Sequence, residues 1–212
     1  MEKTVWIARH GNRQDFVTPE WFETAPRRYD PPLSADGHTQ AQELAERLRE
    51  ENIRHIFASP FLRAIQTAHP ASVALGLPIK IEAGLSEWLN EEWMTENPET
   101  EPLADLAAAG VNFDLSHQSV VVPNYPEASE VLAQRTAATV QKLVDLYDQD
   151  ILLVGHGVSV AGTALGLVKG NPHINAALCC LVKVVSTKTG WNLELNGDTS
   201  HLSQTETKIR FN

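Results

Sequence analysis

The chain places cationic and imidazole side chains, with one carboxylate, just beyond short apolar runs. The set comprises three arginines, two histidines and one glutamate: Arg9, His10, Arg13, Arg63, Glu87 and His156. Guanidinium groups match phosphate oxygens in pairs, so clustered arginines would bind a tetrahedral dianion. The same charges oppose protonation of a nearby imidazole, and a neutral imidazole is a nucleophile. These residue types indicate phosphoryl transfer to a histidine, with Glu87 placed to give the leaving oxygen a proton.

The apolar pattern predicts the elements that would position this set. Short runs predict strands at residues 5–8, 53–58, 79–81 and 151–154, and two later strands near 177–185 and 192–195. Helices are predicted after Ser34 as N-cap, from Pro60 to about Leu75, from 127 to 147 and from about Val158. Strands that alternate with helices predict a mostly parallel sheet covered on both faces. Ligands of such sheets bind beyond the carboxyl ends of the strands, where the cationic set is expected to meet.

Two stretches outside this pattern are expected to form the outer part of a pocket. The loop from about 12 to 33 is rich in proline and aromatic residues, and the segment from about 82 to 126 is acidic and without sustained periodicity. Long structureless loops are uncommon in compact domains, so we expect short helices that form an inserted cap. Residues 1–212 together are predicted to be a single domain.

Composition excludes several classes of protein. With 27 acidic against 17 basic residues the net charge is −10, which argues against nucleic-acid partners and anionic membranes. We find neither an apolar run of about 20 residues nor a signal-peptide core, so we expect no membrane segment and a cytoplasmic location. Cys179 and Cys180 lie in an apolar run and are expected to be core thiols. The spacing of the other histidines suggests no zinc site, and no cofactor is predicted.

Four segments of the chain resemble the signature segments of a known family and follow one another in that family's order: ARHGNR, SPFLRAIQTA, GLSEW and LLVGHG. They resemble the signature segments of the histidine phosphatase superfamily, the phosphoglycerate-mutase-like proteins, and LSADGHTQA resembles the helix start after the family's first loop. The resemblance implies a three-layer αβα sandwich and a phosphohistidine intermediate on His10. It also implies a phosphate pocket of Arg9, Arg63 and His156, with Glu87 as proton donor.

One position departs from the mutases of this family. They usually carry serine two residues after the RHG glycine, where this chain has Arg13. An arginine there, with GLSEW, is more similar to the phosphatase domain of the suppressors of T-cell-receptor signalling and to the ecdysteroid-phosphate phosphatases. This similarity implies that Arg13 is a further phosphate ligand and that hydrolysis is favoured over mutase chemistry. Pairing of Arg13 with Asp15 is the alternative.

The sequence therefore predicts a metal-independent phosphomonoesterase that acts on a small phosphorylated substrate or a phosphopeptide. Glu87 is expected to be held protonated by burial, to protonate the leaving oxygen and then to activate water. A phosphoglycerate-type mutase and a non-catalytic phospho-ligand-binding module are the main alternatives, and a zinc hydrolase is a more distant one.

Overall fold

The computed structural model describes residues 2–204 and contains a six-stranded sheet in the order β3-β2-β4-β1-β5-β6. The strands are β1 (Thr4–Arg9), β2 (His55–Ala58), β3 (Ile79–Ile81), β4 (Ile151–Gly155), β5 (Leu181–Thr187) and β6 (Gly190–Asp198). The first four run parallel to one another, whereas β5 pairs antiparallel with β1 and β6 pairs antiparallel with β5. The prediction of a mostly parallel sheet is confirmed.

Helices cover both faces of the sheet. They are α1 (Gln14–Val17), α2 (Trp21–Thr24), α3 (Ala35–Leu48), α4 (Leu62–Leu75), α5 (Leu103–Ala108), α6 (Ser129–Leu146) and α7 (Gly157–Leu167). Alternate residues of the central strands face opposite ways, so Trp6 and Ala8 pack with the apolar side chains of α3 and α4. Val5 and Ile7 pack with those of α6 and α7. The predicted αβα layers are confirmed.

Local signals in the sequence set several helix ends. Ser34 is the N-cap of α3, as predicted, because its hydroxyl accepts the amide proton of Gly37 at 3.2 Å. Helix α4 begins at Leu62 rather than at Pro60. The Phe61 backbone is still extended, and the Leu62 amide donates to the Asp30 carboxylate at 2.7 Å, so a residue distant in sequence supplies the cap.

The segment from 82 to 126 is more irregular than predicted. Its only helical parts among the described residues are a 3₁₀ turn (Ala83–Leu85) and α5. Asn112 and Asp114 exchange backbone hydrogen bonds with Ile79 at 2.8 and 2.9 Å, so this stretch extends the edge of the sheet. Leu89 and Met94 instead pack on Phe61, close to the strand ends. Only part of the segment therefore lies near the expected site.

No helix within residues 2–204 combines the length and apolar character needed to cross a bilayer.

Candidate active site

The ends of β1 and β4 bring the two histidines together. Arg9 pairs in parallel register with Gly155, and the His10 amide donates to the Gly155 carbonyl at 2.9 Å. His156 follows as the N-cap of α7. The His10 and His156 ring centroids lie 5.2 Å apart, with the rings inclined at 62°. Adjacent parallel strands thus place both imidazoles at one edge of the sheet, as predicted.

The backbone around His10 is packed tightly against α3. A Cβ atom on Gly11 would lie 2.7 Å from the Gly37 carbonyl oxygen, which is closer than side-chain carbons approach in proteins. The Gly11 amide donates to Thr67 Oγ1 at 3.0 Å. Gly11 is therefore required for close contact between the loop and α3.

His10 is buried and uncharged, with one ring nitrogen fixed by the backbone. Its Nδ1 lies 2.7 Å from the Gly11 carbonyl oxygen, which can only accept, so Nδ1 carries the proton and Nε2 holds the lone pair. Burial, and then the charges of Arg63 and Arg9, hold the pKa of His10 well below its usual value. His10 is therefore a neutral imidazole at physiological pH.

His156 is held from the opposite side of its ring. Its Nε2 lies 2.8 Å from Ser59 Oγ, and its Nδ1 lies 3.3 Å from Glu87 Oε2 without the alignment of a hydrogen bond. Burial lowers the pKa of His156 to about 4, although Glu87 opposes this shift. The Nδ1 atom therefore lies within hydrogen-bond distance of Glu87 but is not aligned with its carboxylate oxygen.

Arg63 and Glu87 contact each other next to His156. Arg63 Nη2 lies 3.4 Å from Glu87 Oε2, and Arg63 Nη1 lies 4.0 Å from the buried Asp30 carboxylate. Burial lowers the pKa of Arg63 to about 10, so the group stays cationic at neutral pH.

The charge of Glu87 differs from the prediction. Burial by itself would raise the pKa of Glu87, but His156, Arg63 and His10 together hold it well below its usual value. The expectation of a carboxylic acid kept protonated by burial is therefore wrong for the ligand-free site. The physical reason is the contact of the carboxylate with His156 and with the Arg63 guanidinium.

Two guanidinium groups retain buried Nε donors that are unused. Arg9 Nη1 donates to the Ala176 carbonyl at 2.7 Å, but Arg9 Nε and Arg63 Nε have no hydrogen-bond partner within residues 2–204. Buried N–H groups normally have partners, so unused ones beside a nucleophile indicate a place for an acceptor ligand. Phosphate oxygens fit this requirement.

Arg13 is paired elsewhere. Its Nε and Nη2 atoms donate to the two Asp15 carboxylate oxygens at 2.9 and 2.5 Å, and its guanidinium lies 4.4 Å from the centre of the Phe16 ring. The structure thus shows the alternative pairing with Asp15. The charge of Arg13 still contributes, after burial and larger neighbours, to lowering the pKa of His10.

The same cluster contains three atoms of the kind that bind metals. One ligand atom each from His10, Glu87 and His156 lies within 4.8 Å of the others. Arg63 stands beside them with a full positive charge, and Arg9 also lowers the pKa of His10 through its charge. The adjacent guanidinium cations repel a metal cation from these ligand atoms, and their unused N–H donors fit an anion instead.

Three positions that support the site were not singled out from sequence. Ser59 bonds His156, and Thr67 accepts from Gly11 while donating to the Arg63 carbonyl at 2.8 Å. Both lie in SPFLRAIQTA, and the i+4 spacing of Arg63 and Thr67 was a usable signal. Arg135 donates to the backbone next to Glu87 and had no local signal for this role, because the carbonyls that it bonds lie about 50 residues away.

Residues 5–199 match the model of the histidine phosphatase superfamily (branch 1). The chain belongs to this superfamily. An ecdysteroid-phosphate phosphatase of Drosophila melanogaster is 26% identical to this histidine phosphatase family member over 90% of the chain and 31% of the relative. The ubiquitin-associated and SH3 domain-containing protein A of Homo sapiens is 29% identical over 73% of the chain and 29% of the relative. The chain therefore spans about a third of the length of these relatives.

A further relative matches this member of the superfamily over nearly its full length. A probable phosphoglycerate mutase GpmB of Enterobacter sp. (strain 638) is 29% identical over 93% of the chain and 94% of the relative. The crystal structure of the ecdysone phosphate phosphatase from Bombix mori with tungstate superposes with a TM-score of 0.79. This match has 21% identity and covers 99% of the chain and 98% of that structure, which confirms the phosphoglycerate-mutase-like fold.

Proposed function

We propose that the protein hydrolyses phosphate monoesters without a metal, through a phosphohistidine on His10. One observation carries the proposal: a buried, neutral His10 whose Nδ1 proton is bound by the Gly11 carbonyl, leaving Nε2 as a free nucleophile. The arginine charges that help keep this ring neutral would also bind the phosphoryl oxygens. Membership in the superfamily supports this chemistry.

In the first half-reaction, His10 Nε2 attacks phosphorus and the P–O bond to the leaving group breaks. Arg9 and Arg63 hold the equatorial oxygens through their unused N–H groups, and His156 supports them from its side. The bond electrons pass to the leaving oxygen, which takes a proton from Glu87. Arg13 would join the pocket by exchanging Asp15 for a phosphate oxygen.

Glu87 must gain that proton before it can give it away. A substrate dianion brings two negative charges next to a carboxylate that Arg63 stabilises in the free site. Like charges raise the pKa of a carboxyl group, so substrate binding itself favours protonation of Glu87. In the second half-reaction Glu87 accepts a proton from the attacking water, and phosphate leaves His10.

The substrate class is a small phosphate monoester or a phosphopeptide. The names of the ecdysteroid-phosphate and ecdysone-phosphate relatives support a phosphate monoester. Free, buried Cys179 and Cys180 support a reducing compartment such as the cytoplasm. The net charge of −10 supports the absence of nucleic-acid partners.

The test is turnover of 4-nitrophenyl phosphate by wild type and by His10→Ala. We expect the variant to lose activity by more than about 10³-fold, because the nucleophile is gone. His55→Ala is the matched control, since His55 lies at the opposite end of β2 and bonds Gln149 at 3.0 Å. We also expect EDTA to leave the wild type unchanged, and quenched turnover of ³²P-labelled substrate to show alkali-stable label on wild type only.

Retention of more than about a tenth of the activity by His10→Ala would contradict the nucleophile assignment. Inhibition by EDTA that zinc restores would favour the zinc hydrolase, and binding without turnover by the wild type would favour a non-catalytic module. Mutase chemistry is the second candidate because of the full-length match to a probable phosphoglycerate mutase. Incubation with 3-phosphoglycerate and a bisphosphoglycerate, which supplies the phosphoryl group for a mutase cycle, separates the two, since hydrolysis gives free phosphate and a mutase gives 2-phosphoglycerate.

A further inference from the structure

Arg135, far from Glu87 in sequence, uses its whole guanidinium in one buried network. It lies on α6 and is 4% exposed. Its Nε and Nη2 donate to the Glu127 carboxylate at 2.6 and 2.7 Å. The other bonds go from Nη1 to the Gly84 and Ser86 carbonyls at 2.9 and 3.1 Å, and from Nη2 to the Glu87 carbonyl at 3.2 Å. All five N–H donors of the side chain are thereby used.

Glu127 holds the same loop from its other side. The Glu127 amide donates to the Leu89 carbonyl at 2.9 Å, and its carbonyl accepts from Trp88 Nε1 at 2.8 Å. The Arg135–Glu127 pair therefore bonds the backbone before Glu87, at Gly84 and Ser86, and after it, at Leu89. This stretch follows the 3₁₀ turn and belongs to no strand or helix, so this pair supplies anchoring that a sheet ladder would otherwise give.

The position of the Glu87 carboxylate depends on this anchoring. Its Oε2 lies 3.3 Å from His156 Nδ1 and 3.4 Å from Arg63 Nη2. Displacement of the Glu87 backbone would change both distances. Misplacing a catalytic group by about 1 Å costs on the order of 10²-fold in rate. The Glu127 carboxylate neutralises the charge of Arg135, so an effect of Arg135 on catalysis would come through geometry.

We propose that Arg135, paired with Glu127, is the positioning residue that aims Glu87 at the leaving oxygen. Neither side chain touches the histidines, so the role is distinct from phosphate binding. This inference rests on the proposed function of Glu87 as general acid. Loss of this positioning should slow substrates with poor leaving groups most, because a general acid matters most when the leaving group is a poor one.

The experiment measures kcat/KM for 4-nitrophenyl phosphate, phenyl phosphate and glycerol 2-phosphate with the full chain. Arg135→Lys keeps the positive charge but cannot supply five N–H donors in a planar fork. We expect it to lower kcat/KM for glycerol 2-phosphate about 10- to 100-fold and that for 4-nitrophenyl phosphate only a few-fold. Arg49→Lys, at an exposed ion pair with Glu46, is the matched control and should change neither.

Glu87→Gln separates failure of the inference from failure of the proposed function. If Glu87→Gln lowers kcat/KM equally for all three substrates, the general-acid role itself is wrong. If Glu87→Gln is selective for the poor leaving group but Arg135→Lys is not, the positioning role is overturned. In the variant that combines Glu87→Gln with Arg135→Lys, we expect the second substitution to add no further difference in kcat/KM between poor and good leaving groups. If Arg135→Lys does not fold, Glu127→Gln replaces it. We then expect Glu127→Gln to lower kcat/KM more for glycerol 2-phosphate than for 4-nitrophenyl phosphate, and an equal loss for both overturns the positioning role.

Discussion

His10 and His156 share one residue type but are held by opposite ring nitrogens. His10 uses Nδ1 on the Gly11 carbonyl, whereas His156 uses Nε2 on Ser59. Each ring therefore leaves a different nitrogen unbonded, and burial keeps both rings neutral. The pKa of His156 falls to about 4, which has a consequence for stability as well as for chemistry.

The first prediction concerns the stability of the fold in acid. A histidine whose pKa is lower in the folded state binds fewer protons there than in the unfolded chain. Its contribution to the unfolding free energy is therefore fully present above about pH 6.5 and is lost as the pH falls. For His156 the loss between pH 6.5 and pH 5 is about 2 kcal/mol. We expect His156→Gln, measured by urea unfolding at pH 7.5 and pH 5, to reduce the fall in unfolding free energy by about that amount.

Other groups also titrate in this range, so the comparison is between wild type and variant. His173→Gln serves as control, because the His173 side chain is exposed. An identical pH dependence in wild type and His156→Gln would contradict a neutral, buried His156.

Helix α4 carries Arg63 in its first turn and is fixed at both ends. Asp30 caps its start, and Gly76 ends it with a left-handed φ of 66°. Nothing lies within 4 Å of the place where a Gly76 Cβ would stand. The cost of a side chain there is therefore purely conformational, which makes the position a clean measure of this helix end.

We expect Gly76→Ala to lower the unfolding free energy by about 1 kcal/mol, because L-residues resist the left-handed region. Gly76→Asn should cost less, since asparagine adopts this conformation more readily. Chemical denaturation measures both, and kcat/KM on 4-nitrophenyl phosphate should stay unchanged. Equal stability of the wild type and the Gly76→Ala variant would show that α4 ends differently.

The whole molecule is strongly acidic, yet its candidate site presents cationic donors. The net charge is −10, whereas the Arg9 and Arg63 guanidinium groups at the strand ends keep buried Nε atoms without a hydrogen-bond partner among the described residues. Such a site in the folded chain should bind phosphate-like anions, and the unfolded chain has no equivalent. Ligands that bind only the folded state stabilise it by mass action.

We therefore expect tungstate or inorganic phosphate to raise the melting temperature of the protein in a saturable way. At 100 times the dissociation constant the gain is about 2.7 kcal/mol. Arg63→Met should abolish the shift, whereas Arg54→Met, at an exposed arginine bonded to Asn52, should keep it. A shift of equal size with sulfate, chloride and phosphate, or one that survives Arg63→Met, would contradict a specific site.

The sequence alone determined that the sheet is mostly parallel and which residues follow its strands. For that reason the meeting of Arg9, His10 and His156 could be predicted: chain order and apolar patterning decide which strand ends share an edge. The tertiary structure alone decided the charge of Glu87 and the hydrogen bonds of Arg135 to the backbone around Glu87, and it showed which of the two partners that the sequence left open for Arg13 is bound in the free site. The first two depend on distances between residues far apart in the chain, and both electrostatic energy and hydrogen bonding change steeply over such distances.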